Sequence, residues 1–221
     1  AKDDDYWHII NKILENDANS AFAKEIMLRI LLLIEHSNDL HYKNYNVEDC
    51  MRLLIGKYFN EVWHDLSEAL VCDGERYILY YKLKSILGSM TGYNNGPGIL
   101  FQTEHNDALL AWCKKYPLVA PERLMLMVPL YGENGFSDIV YKLVNLYGEQ
   151  DTVLTALSCN MGSFSFVGSI VPLYEKQLRC IEELSNHNSE KVRTWSVKMS
   201  TYLKEQIDVE KNRDAEGVLN R

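Results

Sequence analysis

The amino-acid sequence predicts an all-α protein of roughly ten helices. Three observations carry that expectation. Apolar residues recur every three or four positions, which gathers them on one face of a helix, and such a face must be buried. Period-two alternation bounded by turns is absent, so a parallel α/β arrangement is not expected. Clusters of Gly, Pro, Asn and Ser break the pattern at helix-length intervals, and they cannot hold a helix.

Tyr6, Trp7, Ile9, Ile10, Ile13 and Leu14 mark the first helix. The Asn16-Asp17 and Asn19-Ser20 region ends it. Phe22 to Glu35 is the second, and its near-continuous apolar run from Met27 to Ile34 predicts burial on several sides. After a polar loop from His36 to Asn46, Glu48 and Asp49 bias the next first turn toward acid, which suits the positive end of a helix dipole. That helix is expected to run unbroken to Val71, with Cys50, Leu53, Leu54, Tyr58, Val62, Leu66 and Leu70 on its apolar face. Tyr77 to Met90 follows.

Thr91 to Thr103 is the clearest interruption and holds Gly92, Gly96, Pro97 and Gly98. Beyond it the helices shorten. Ala108 to Tyr116 ends at Pro117, and Pro121 suits the first turn of a helix reaching Tyr131. Phe136 to Tyr147 has Gly148 in the position that closes helices. Asp151 to Met161 comes next.

The last stretch, from Leu173 to Ile207, reads as a helical hairpin. Tyr174, Leu178, Ile181 and Leu184 form one stripe; Val192, Trp195, Met199, Tyr202 and Ile207 form the other. Asn186-His187-Asn188-Ser189 separates them, and Ser189 can cap the second helix through its hydroxyl. The segment NHNSEKVRTW, Asn186 to Trp195, resembles the turn of a HEAT repeat. Val192 and Arg193 match the Val-Arg pair that opens the second helix of such a repeat, and Asn188 stands where the family usually has Asp. The stretch from Gly162 to Gln206 also resembles the closing helices of large bacterial helical-repeat proteins. The resemblance implies a HEAT-like α-solenoid of stacked antiparallel hairpins. Helix starts near Glu104, Phe136 and Pro172 fit two-helix repeats of about 34 to 47 residues. The W-x-x-L-G-x-x-Y pattern of tetratricopeptide repeats is missing.

The expected organisation is an irregular helical subdomain over residues 1–91, a connecting loop over 92–103, HEAT-like repeats over 104–208 and a charged, fraying tail over 209–221. The chain has 221 residues, 47% hydrophobic and 24% charged, so a folded domain rather than disorder is expected. Its net charge of -8 makes free nucleic acid and anionic membranes poor default partners. The five cysteines contain no C-x-x-C pair, and a reducing cytoplasm is the simplest compartment. The opening Ala-Lys-Asp-Asp-Asp lacks an initiator Met and an apolar h-region, so we expect part of a longer protein and no signal peptide.

Chemical motifs are sparse. Glu61-x-x-His64, with Asp65 and Glu68, shares one helix face. Di-iron bundles use such a pair but need a second one and further carboxylates; Asp5-x-x-His8 does not supply it. There is no H-E-x-x-H motif. Gly92 to Gly98 lacks the Lys and Ser/Thr of a phosphate loop. Thr152 to Tyr174 carries no Asp, Glu, Lys or Arg, but Asn160, Gly162, Gly168 and Pro172 interrupt it, so a membrane span is not expected. No G-x-S-x-G elbow surrounds Ser158, Ser163 or Ser165, and His187 lies only loosely near Cys180. Lys82, Lys84, Lys114 and Lys115 are expected to be solvated helix charges. Were they to converge, they would form a phosphate-contacting face of the kind found in HEAT-like DNA glycosylases.

The leading expectation is a non-enzymatic interaction or recognition module of a larger cytoplasmic bacterial protein. Its partner is a protein or peptide, with no membrane, cofactor, metal or catalytic residue. The expected binding residues are Tyr93, Asn94 and Asn95, as adaptable loop contacts, and Phe164 and Phe166, which either plug the groove between adjacent repeats, the favoured reading, or sit exposed as an aromatic contact patch. The alternatives are a helical-bundle enzyme with a metal near Glu61 and His64, and a nucleic-acid-binding HEAT-like protein.

Overall fold

The computed structural model describes residues 2–16, 19–38, 45–88, 98–163 and 168–219. These residues are helical throughout, apart from turns and one isolated antiparallel bridge between Tyr131 and Phe136. The α-helices are α1 (Lys2–Glu15), α2 (Ser20–His36), α3 (Tyr45–Lys57), α4 (Phe59–Leu70), α5 (Tyr77–Leu87), α6 (Asn106–Lys115), α7 (Ala120–Met125), α8 (Asp138–Tyr147), α9 (Asp151–Gly162), α10 (Val171–Glu182) and α11 (Glu190–Leu219). Contacts gather the described residues into two compact units, one ending at Val128 and the other beginning at Pro129.

In the first unit α1 packs on α3, and α2 packs on α4 and α5. Leu14, Met27, Ile30, Ile34, Met51, Leu54, Leu66, Leu70 and Leu83 are completely buried. The apolar run of α2 nevertheless has an outer side, since Leu28, Leu32 and Leu33 are exposed. The single helix expected from Asn46 to Val71 is two helices, broken at Tyr58. The break has a use. The Tyr58 hydroxyl donates to the Leu14 carbonyl at 3.0 Å and Lys57 Nζ to the Glu15 carbonyl at 2.7 Å. Together they cap the end of α1, whose last carbonyls have no partner within the helix.

Buried cations perform the same task elsewhere in this unit. Lys82, expected at the surface, is 2% exposed. Its ammonium donates to the carbonyls of Ile34 (2.9 Å), Glu35 (3.3 Å) and Ser37 (2.5 Å) at the end of α2. Three donors meet three acceptors, and the positive charge sits at the negative end of the helix dipole. Arg123, 5% exposed, donates to the carbonyls of Leu70 (2.7 Å), the last residue of α4, and Cys72 (2.9 Å) beyond it, and to the Asp73 carboxylate (2.6 Å). Its guanidinium also lies 4.5 Å from the centre of the Tyr80 ring, a favourable cation–π placement.

An aromatic group closes the same core. The His105 ring stacks on Phe59 at 3.6 Å, Phe59 on Trp63 at 5.1 Å, and Trp63 meets Trp112 edge-on. Trp112 Nε1 donates to the Ser67 carbonyl at 3.2 Å. Burial holds the His105 imidazole below its usual pKa of 6.5, against an opposing hydrogen bond with the Ile55 carbonyl.

In the second unit α10 and α11 make the most extensive helix–helix contact. Ser196 Oγ donates to the Ile181 carbonyl, and the ion pairs Lys204–Glu182 and Lys211–Glu175 follow. Ser196 and Lys204 meet residues near the end of α10, and Lys211 meets Glu175 nearer its start. α11 continues as helix past Ile207 to Leu219, where the charge content predicts fraying. The second stripe is also rotated from its expected place. Val192, Ser196, Leu203 and Ile207 face the core, Trp195 and Met199 are half-buried, and Tyr202 is exposed. Gly148 has an ordinary helical φ of -64°, so no left-handed cap calls for glycine. Its need is space, because a Cβ there would lie 2.5 Å from Val192 Cγ2 and 2.5 Å from the Val144 carbonyl.

Candidate functional site

The turn before α11 is held by its own sequence. The Val192 amide donates to Ser189 Oγ at 3.2 Å, the expected cap. Arg193 reaches back to the carbonyls of His187 (2.6 Å) and Asn188 (2.8 Å). The His187 ring bridges two elements. Its Nδ1 accepts from the Ser189 amide at 3.0 Å, which leaves Nε2–H to donate to Asn145 Oδ1 of α8 at 2.7 Å. The start of α11 is thereby fixed beside α8 and α9.

Two side chains of α11 then reach α9. Lys191 pairs with the Asp151 carboxylate at 3.0 Å and donates to the Glu149 carbonyl at 2.8 Å. Trp195 Nε1 donates to Ser158 Oγ at 3.1 Å, while that hydroxyl donates to the Leu154 carbonyl at 3.0 Å. Partners rise together along both helices, so α9 and α11 begin at the same end and run in the same direction.

Between them lies a groove of about 740 Å³, within the size range of sites that bury a ligand. Leu154, Trp195 and Met199 give it an apolar floor, and the exposed thiol of Cys159 stands at its wall. Glu149, Asp151, Glu190 and Lys191 surround one end. Lys198 lies two helical turns further along α11 from Lys191 and Glu190. Lys191 is matched by Asp151. Among the described residues the carboxylates of Glu149 and Glu190 and the ammonium of Lys198 have no ion-pair partner. The groove is acidic at one end, basic at the other and apolar between.

Tyr93, Asn94, Asn95, Phe164 and Phe166 lie outside the described residues. On α4, His64 is exposed and Asp65 sits 3.9 Å from Lys24. Glu68 is engaged by Lys115 at 2.8 Å and by the Tyr116 hydroxyl, and these hydrogen bonds hold its carboxyl below the usual range. Among the described residues no group of three His, Cys, Asp or Glu side chains is placed to hold a metal ion. The lysines offered for a phosphate face are divided: Lys82 is buried on carbonyls, and Lys115 is paired with Glu68. No described helix is long and apolar enough to cross a membrane.

Sequence reasoning missed this groove because its residues carry no motif. Trp195 was the available signal: a tryptophan beside Lys191 and Lys198 on a largely polar helix. No family model, curated protein or solved structure matches the chain.

Proposed function

We propose that this chain is an interaction module: a HEAT-like stack of antiparallel helical hairpins that binds a protein or peptide partner in the groove between α9 and α11. A larger cytoplasmic bacterial protein as its setting belongs to the same proposal. The observation that carries the reading is the groove itself. An indole, a thioether and a leucine side chain line one open depression, and among the described residues Glu149, Glu190 and Lys198 at its ends have no ion-pair partner, while Lys191 is matched by Asp151. Exposed apolar surface of this kind, rimmed by polar groups, marks a place where another molecule sits. Tryptophan at the base of such a depression is the residue type that dominates binding energy.

The test is comparative capture with the full chain. Partners retained by the wild type should be lost by Trp195→Arg, which fills the floor with a charge. They should be kept by Leu146→Arg, since Leu146 is exposed and does not line the groove. Identical capture by all three proteins contradicts the proposal. Circular dichroism establishes that each variant is folded.

A further inference from the structure

The groove between α9 and α11 also restricts what its occupant can be. This inference rests on the reading of the groove as a docking site and goes further by naming the partner's form and charge polarity. We infer that the occupant is a short amphipathic helix, acidic in its first turn and basic in its last, lying antiparallel to α11.

The groove's helical walls disfavour an extended segment. Beyond their first turns, both walls are α-helices whose N–H and C=O groups pair along their own ladders. A strand laid on the floor of Leu154, Trp195 and Met199 would find no backbone partners, and unpaired backbone groups removed from water are costly. A helix pairs its own backbone and presents only side chains. Glu190 to Met199 spans about 14 Å at the helical rise. That length accepts apolar anchors at i, i+4 and i+7 of an incoming helix.

Charge sets the direction. Glu149 and Glu190 stand unpaired at the end where α11 begins, and Lys198 stands unpaired further along. Basic residues of the occupant belong beside the two glutamates, and an acidic residue belongs beside Lys198. Helices place acids in the first turn and bases in the last by preference, because of their own dipole. An occupant running against α11 satisfies that preference and the groove together, and it sets its dipole against those of α9 and α11.

The experiment uses two hydrocarbon-stapled helices of about three turns with Leu at i, i+4 and i+7. One carries Glu in the first turn and Lys in the last; the other exchanges these charges. Circular dichroism shows whether the two are equally helical. Binding to the full chain is read from the Trp195 indole N–H resonance, assigned by its absence in Trp195→Phe. The matched helix should shift that resonance saturably and bind about five- to tenfold tighter than the exchanged one, with the difference shrinking as salt rises. The triple variant Glu149→Lys, Glu190→Lys, Lys198→Glu should reverse the preference. Equal affinities for the two helices, both shifting the resonance, overturn the inference about polarity and leave the groove reading standing. No shift with either helix at millimolar concentration overturns both.

Discussion

Lys82 in the first unit and Lys191 in the second are the same side chain set against the same kind of partner. Each donates to backbone carbonyl oxygen at a helix end, Lys82 in the last turn of α2 and just past it, Lys191 just past α8. Lys82 is sealed from water on three carbonyls. Lys191 is 38% exposed and shares its charge with Asp151. The first unit spends its cations on closing helix ends inside the core. The second leaves its charges at the rim of an open groove. Burial decides which role a charge has: hidden, it must be fully paired and therefore fixes structure; at a rim, it is available to another molecule.

The sharpest way to break this contrast is to remove the cations. Lys82→Met or Arg123→Met strands buried carbonyls without their donors and should lower stability by about 2–4 kcal/mol each. Lys191→Met removes a rim contact and should cost about 0–1 kcal/mol. Urea unfolding of the three variants measures the difference, and equal losses would end the distinction between the units.

Trp195→Ala is next in size. The full penalty for a buried tryptophan is about 3–5 kcal/mol, but this indole is half-buried at a groove floor. We expect about 1–2 kcal/mol from the lost packing and the lost hydrogen bond to Ser158. A larger loss in thermal unfolding would put Trp195 back in the core.

The smallest effect belongs to His105. Its folded-state pKa lies below 6.5, so the unfolded chain takes up the proton first as pH falls. Stability from this residue is present above pH 6.5 and is lost as pH drops from 6.5 toward the lower folded value. His105→Phe, which keeps a ring against Phe59, should flatten that part of the stability–pH curve. A curve unchanged between wild type and variant would show that His105 contributes no such dependence.

Helix identity was legible because it rests on spacing, and spacing is local. The cap at Ser189 and the turn from Asn186 were legible for the same reason. The break at Tyr58 was not, because its cause is tertiary: the Lys57 and Tyr58 side chains cap α1 more than 40 residues away in sequence. Nor was the rotation of α11. Its core face contains Ser196, whose hydroxyl is satisfied by the Ile181 carbonyl, so an apolar pattern chooses Trp195 in its place. Lys82 reads as a surface residue until three carbonyls are brought around it. The groove is a property of two helices at once, and no single stretch of sequence announces it.

Cys159 supplies the most direct test that the groove is open and receives the proposed helix. Its thiol is exposed at the groove wall, whereas Cys50, Cys113 and Cys180 are buried. Maleimide labelling of the native protein, located by mass spectrometry, should modify Cys159 far faster than those three. A saturating amount of the matched stapled helix should slow it markedly. Modification of Cys159 at the rate of the buried thiols, or a rate unchanged by the helix, would contradict the account.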